Sequence, residues 1–297
     1  MDKNKTGNAL VLEGGGYRGV FTAGVLDVLM ERGIYGFDSV WGTSAGALNG
    51  ASFCAHQLGR NIRVMLAFRD DPRLMSFRSL VKTGNLTSGE FLYHTVQNEL
   101  DPFDSETFNA SPTRMFAVVT DVAFGAARYL EVKSIPRDLD MIQASASLPL
   151  VSGTVEIDGR EYLDGGTTDS VPLEVALGLA PAVGVEDYEP ASKALVVLTQ
   201  HREYVKGQKL ERMALLSRRY TNYPMYIEAL STRPQRYMAQ RERIWELERE
   251  GRALVLLPKK PVEVDTNEHD GAPLLDLYLQ GRRQAEERIN EIVEFLE

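Results

Sequence analysis

The strongest constraint on this chain is an alternation of element types near its start. Ala9 to Leu12 is a short apolar run that stops at a glycine cluster, as a buried strand does. Thr22 to Arg32 follows with helical spacing, Ala23, Val25 and Leu29 sharing one side, and Gly33 supplies a C-terminal stop. Ser39 to Gly42 reads as a second strand. Ala45 to Leu58, apolar nearly all round and rich in small residues, reads as a buried helix. Strands joined through helices run parallel, so the predicted class is α/β, a parallel sheet covered by helices.

Later segments extend this pattern. Met115 to Thr120 and Ala194 to Thr199 are buried-strand candidates, and Arg128 to Val132 alternates like a strand at the sheet edge. Val155 to Leu163 predicts a hairpin turning at Asp158-Gly159, and Ala253 to Leu257 a late strand closed by Pro258. His201 to Gly251 is helical and charged. The tail from Leu274 to Glu297 sets Ala285, Ile289, Ile292, Val293 and Leu296 along one stripe. The turn-rich acidic stretch Gly184 to Pro190 marks a boundary. It divides a catalytic domain over 8–180 from an extension over 190–297 that completes the sheet and adds a helical lobe.

Composition excludes several classes. The net charge of −9 argues against a nucleic-acid partner. No apolar run approaches the roughly 20 residues of a spanning helix, and Met1 to Gly7 lacks the apolar core of a secretory signal. Cys54 is the sole cysteine, which rules out an intramolecular disulfide and a Cys-based zinc site. Asp70-Asp71 and Asp101 to Asp104 lack a spaced calcium loop. The expectation is a cytoplasmic protein with no metal and no cofactor.

Three motifs carry chemistry. Gly42-Thr43-Ser44-Ala45-Gly46 is G-x-S-x-G, which presents a serine on a sharp strand-to-helix turn. Alone it also fits a small-residue turn at a helix start; the apolar strand before it and the apolar helix after it favour the elbow. Gly14-Gly15-Gly16-Tyr17-Arg18-Gly19 follows the first strand and offers backbone amides to an anion. That anion is an acyl-transfer oxyanion or a dinucleotide pyrophosphate. The second reading wants an acidic residue at the end of the second strand, and here Asp38 precedes that strand. Asp164-Gly165-Gly166 alone reads as a turn. It gains weight because none of the four histidines carries a triad signature. His56 falls in the helix after Ser44, His94 in another predicted helix and His269 in a polar loop; His201, after a strand, is the best triad candidate.

With these motifs in this order, the sequence resembles the patatin-like phospholipases, including bacterial members. Ala144-Ser145-Ala146-Ser147-Leu148-Pro149 looks like the family's segment before its Asp motif, and the resemblance runs from Asn8 to Leu179. It implies a three-layer α/β/α domain with a mostly parallel central sheet, plus a helical C-terminal extension. It implies Ser44 as nucleophile, Asp164 as proton acceptor, and Gly14, Gly15, Gly16 and Arg18 as the oxyanion loop. Gly19, Gly42, Gly46, Gly165 and Gly166 complete the motifs. The implied activity is hydrolysis of lipid or other acyl esters; acyl transfer to an alcohol, or a non-catalytic regulatory role, would use the same residues. From His201 to Arg252, 12 Lys/Arg stand against 7 Asp/Glu, interleaved with tyrosines. That stretch reads either as a peripheral contact with anionic headgroups at the inner membrane surface or as a solvated lobe with its aromatics packed inward. The second reading is preferred.

Overall fold

The computed structural model describes residues 7–71, 73, 89, 91–264, 268 and 270–297; the polar terminus 1–6 and His269 lie outside them. In chain order the elements are β1 (Asn8–Leu12), a 3-10 turn (Gly16–Gly19) leading into α1 (Val20–Glu31), β2 (Ser39–Thr43), α2 (Ala45–Cys54), α3 (Arg60–Phe68) and a π-helix (Phe91–Leu100). Then come α4 (Ser105–Ala110), β3 (Arg114–Asp121), β4 (Ala126–Val132), α5 (Leu139–Ser145), β5 (Val155–Ile157), β6 (Arg160–Asp164) and α6 (Leu173–Ala176). The chain closes with β7 (Lys193–Val197), α7 (Lys209–Leu216), α8 (Pro224–Arg249), β8 (Ala253–Leu256), α9 (Gly271–Glu287) and α10 (Ile289–Leu296).

The described strands form one sheet in the order β5-β6-β3-β2-β1-β7-β8, with β4 also on β3. β1, β2, β3, β7 and β8 pair in parallel, whereas β4, β5 and β6 are antiparallel. Side chains alternate across a strand, and both faces of this sheet are apolar. Leu10, Leu12, Val40, Ala117 and Val197 face a core shared with α1, α2, α9 and α10. Val11, Trp41, Phe116, Val118 and Val196 face a second core shared with α6 and α8. Trp41 and Phe116, opposite each other in register, stack at 4.0 Å. Three layers follow from that alternation, and the class is the predicted α/β/α.

Helix α1 is buried from Val20 to Met30, as expected of a helix apolar all round. It crosses α9 where both lack a side chain: a Cβ at Gly24 would sit 2.1 Å from the Tyr278 carbonyl oxygen, and one at Gly281 2.1 Å from that of Phe21. The Tyr278 hydroxyl donates to Asp27 across the same crossing (2.7 Å). The last part of the chain is thus knitted onto the first helix.

Several local expectations need correction. The helix after Ser44 ends at Cys54, short of Leu58, so His56 lies beyond it, exposed and with φ 54°. The tail stripe is broken at Arg288 between α9 and α10, and Val293 is 41% exposed while Ala285 and Ile292 are buried. No helix among the described residues is long and apolar enough to cross a membrane.

Candidate active site

Parallel strands of an α/β sheet place their carboxyl ends along one rim, where ligands bind. The glycine loop leaves β1 there, Ser44 leaves β2, and Thr199 lies just past β7. The sheet itself brings Asp164 to the same place. β2 pairs with β3 as far as Thr43 opposite Val118, where it ends. β6 then takes up the same edge of β3 from the opposite direction, with Asp164 opposite Val119. The last residue of β6 and the first residue past β2 therefore meet end to end.

Ser44 has φ 56° and ψ −121° at the N-terminus of α2, a conformation disfavoured for a side chain with a Cβ. Close packing holds it. A Cβ on Gly42 would lie 2.6 Å from the Ala47 amide, and one on Gly46 2.3 Å from the Leu12 carbonyl oxygen. The Ser44 amide donates to Ser145 Oγ (2.9 Å), which donates to the Val118 carbonyl (2.6 Å). That amide is therefore already engaged within the protein.

The glycine loop lies directly on the serine. A Cβ on Gly14 would meet Thr43 O at 2.9 Å and Ser44 Cβ at 3.0 Å, and one on Gly15 would meet Thr199 Oγ1 at 2.6 Å. Among the described residues, no protein acceptor takes the amides of Gly14 and Gly15. Gly16 has φ 56° and opens the 3-10 turn; the Arg18 amide closes it on Gly15 O (3.2 Å). Asn49 ties α2 to the loop's end by donating to Gly19 O (3.1 Å). Gly19 and Tyr17 line the cavity described below, whereas the Arg18 charge reaches Lys206. The loop thus packs against a serine that is itself 6% exposed.

Asp164 is 2% exposed. Oδ1 accepts the Gly166 amide (2.7 Å), and its backbone is held by Ser147 O and Thr120 Oγ1 (2.9 Å each). Oδ2 is buried without a partner in hydrogen-bond geometry, and the Ser44 hydroxyl is the side chain set against this carboxyl. Burial raises the carboxyl above its ordinary range; the Ser44 hydroxyl, the Arg233 charge, the Gly166 amide and the Lys206 charge draw it partly back. The carboxylate is a stronger base here than in water.

Ser44 and Ala45 also line a cavity of about 520 Å³ whose walls are mainly apolar, among them Val20, Leu48, Met65, Leu92, Val96 and Leu148. Its size is that of a small-molecule site, roughly 300–1,000 Å³. Among the described residues, no group of three His, Cys, Asp or Glu could hold a metal ion.

None of the described histidines, His56, His94 and His201, is hydrogen-bonded to Ser44. The His94 side chain is exposed, and the His201 ring packs edge-on to Tyr204 while its carbonyl accepts from Arg241. Reading the sequence missed Glu13, Ser145, Arg233 and Tyr237. Glu13 Oε2 accepts the Thr199 amide (2.5 Å), and Oε1 accepts the Tyr237 hydroxyl (2.6 Å). The only local signals were Glu13's place before the glycines and Ser145's place in the Ala144 to Pro149 segment.

In the stretch 201–252 the aromatics pack inward: Tyr220, Tyr226 and Tyr237 are buried, and so is Arg241.

Comparison with known proteins adds the following. Residues 10–177 match the model of the patatin-like phospholipase family, and residues 223–297 that of a domain of unknown function, DUF6363. The chain is 32% identical over 173 residues to the uncharacterized protein YjjU of Escherichia coli (strain K12), covering 57% of this chain and 48% of that one. It is 31% identical over 217 residues to patatin-like phospholipase domain-containing protein 7 of Rattus norvegicus, covering 68% of this chain and 15% of that one. Among solved structures, VipD from Legionella pneumophila superposes with a TM-score of 0.46 at 15% identity, covering 96% of this chain and 67% of that one. The chain spans about half the length, or less, of the curated relatives named here.

Proposed function

The chain belongs to the patatin-like phospholipase family, and from that premise we propose that it is a serine hydrolase of lipid acyl esters with Ser44 as nucleophile and Asp164 as general base. One observation carries the reading: a buried carboxylate with one oxygen unpartnered is set against a strained serine at the wall of an apolar cavity. Asp164 takes the Ser44 proton as Oγ attacks the ester carbonyl. The amides of the glycine loop, with the N-terminal end of α2, hold the tetrahedral oxyanion. The intermediate collapses to an acyl-enzyme, and the alcohol leaves with the proton that Asp164 returns. Water then attacks the acyl carbonyl, giving its proton to Asp164, and the carboxylic acid departs as Ser44 is reprotonated.

The cavity supports an acyl chain as the group bound. Each methylene moved from water to an apolar wall contributes about 0.8 kcal/mol, up to roughly fourfold in kcat/KM. Hydrolysis of p-nitrophenyl esters is expected to climb steeply from acetate to medium chains. Leu48→Trp, which fills the cavity, is expected to flatten the climb while acetate turnover stays near wild type. A series flat in wild type would remove the acyl chain from this cavity.

The same reading extends to a lipid surface. Leu210 of α7 lines the cavity. On the same helix Met213 and Leu216 are 52% and 82% exposed, and the Lys209, Arg212, Arg218 and Arg219 side chains are exposed around them. Apolar side chains flanked by cations suit an anionic bilayer. Co-sedimentation is expected with phosphatidylglycerol-containing vesicles, weakening with salt and lost in Met213→Ser/Leu216→Ser, while hydrolysis of a soluble short ester is retained. Binding indifferent to anionic lipid would count against this surface.

A further inference from the structure

Helix α8 is far from the three motifs in sequence, yet one stripe of it touches the turn after Asp164 and the residue before the glycine loop. Arg233, Arg236, Tyr237, Gln240 and Arg241 recur at helical spacing along one face. Arg233 Nε donates to the Gly166 carbonyl (2.6 Å), and the amide of that same glycine holds Asp164 Oδ1 (2.7 Å). Arg236 donates to the next carbonyl, that of Thr167 (3.0 Å). Gln240 donates to Asp169 (2.6 Å) and accepts the Ser170 amide (3.3 Å). Tyr237 holds Glu13, the residue before the glycine loop, and Arg241 holds the carbonyls of His201 and Arg202 in the loop that carries Lys206.

An apolar stripe would seal this rim at less desolvation cost than buried guanidinium groups. The donors found here instead match the carbonyls and carboxylates of the active-site turns. Arg233 is anchored from its other side by Glu211 of α7 (3.1 Å), with side-chain exposures of 14% and 5%. The pair fixes where the guanidinium lies, and with it the Gly166 peptide.

We infer that α8 is a positioning element for the reaction proposed above, and that Arg233 is the positioning residue that holds the Asp164 turn and keeps its carboxylate available to Ser44. This inference rests on that proposed reaction. Among the described residues, the side chains that act on Asp164 or are acted on by it include the cations Arg233 and Lys206, the Ser44 hydroxyl, and the phenols of Tyr93 and Tyr226. Lys206, itself desolvated, is held down to about 7.

The test uses the full chain with Arg233→Gln, Arg233→Lys and, as a control on the exposed side of α8, Arg249→Gln. In Arg233→Gln, kcat is expected to fall by about 10²-fold, the scale of a misplaced catalytic group, with KM little changed. The acid limb of its kcat/KM profile is expected to move up by about one pH unit. Arg233→Lys keeps the charge and loses the fork, so its limb returns toward wild type while kcat stays low; Arg249→Gln matches wild type. A carboxyl-13C titration of Asp164, assigned with Asp164→Asn, gives a readout independent of turnover and is expected to shift up in Arg233→Gln only. If Arg233→Gln does not fold, Arg233→Lys carries the test through its unshifted titration and lowered kcat. Wild-type kcat and an unmoved titration in a folded Arg233 variant would overturn the inference. Full ester turnover in Ser44→Ala would instead overturn the reaction on which it rests.

Discussion

Ser44→Ala is expected to abolish ester turnover, lowering kcat/KM by at least about 10⁴-fold, while the protein remains folded. Alanine keeps the Cβ that the elbow already accommodates at φ 56°, and the backbone contacts of Gly42 and Gly46 do not involve the hydroxyl. The loss expected is the proposed nucleophile, together with a hydroxyl set against the buried carboxyl of Asp164. Kinetics on a soluble ester, with circular dichroism and a thermal melt in parallel, measure both halves. An alkyl fluorophosphonate should label wild type once, on the peptide containing Ser44, and leave the variant unlabelled. His201→Gln should keep most of its activity, because His201 meets the neighbouring elements through its ring edge and its carbonyl. If Ser44→Ala retained more than a few per cent of turnover and His201→Gln abolished it, another nucleophile and a histidine base would replace this pair. An inert, unlabelled wild type would move a regulatory role to the front.

Local patterns in the sequence carried the fold a long way. The alternation of short apolar runs with helices gave the layers, because a strand buried on both faces cannot avoid being apolar at consecutive positions. Where the reading overshot, a local irregularity was responsible: α2 ends at Cys54, and the chain turns through a left-handed His56 that no breaker residue announces. The Ser44 elbow and the glycine loop were legible as local geometry because each depends on glycines its own segment must supply. Asp164 was legible only from motif order, since its approach to Ser44 depends on β6 following β2 along one edge of β3. The rest of the site is written across the chain. Ser145 meets Ser44 over 101 residues, Arg233 meets Gly166 over 67, and Tyr237 meets Glu13 over 224. No spacing rule relates such residues, so the basic stretch of 201–252 looked like surface when Arg233 and Arg236 in fact bond the turn after Asp164 and Arg241 the loop after β7.

Asp164→Asn is expected to lose activity and gain stability, a combination that separates a base from a structural turn residue. The amide can still accept the Gly166 N–H at Oδ1, so the turn survives, but it cannot take a proton from Ser44. A lost general base lowers the rate by roughly 10²–10⁴-fold. The stability half follows from linkage. Burial raises the native Asp164 above its ordinary value of 3.8, so between the unfolded and native values the native state binds more protons. Unfolding free energy then falls as pH rises through that interval, and the deficit persists at every higher pH. The uncharged asparagine escapes that deficit. Calorimetric melts from pH 3 to 8 should therefore show the variant at or above wild type near pH 8, with the gap closing as pH falls toward 3. The acid limb of the wild-type kcat/KM profile should lie above the usual carboxylate range for the same reason. A variant that is less stable than wild type by the same margin at every pH would mean that Asp164 serves the turn and not the proton transfer.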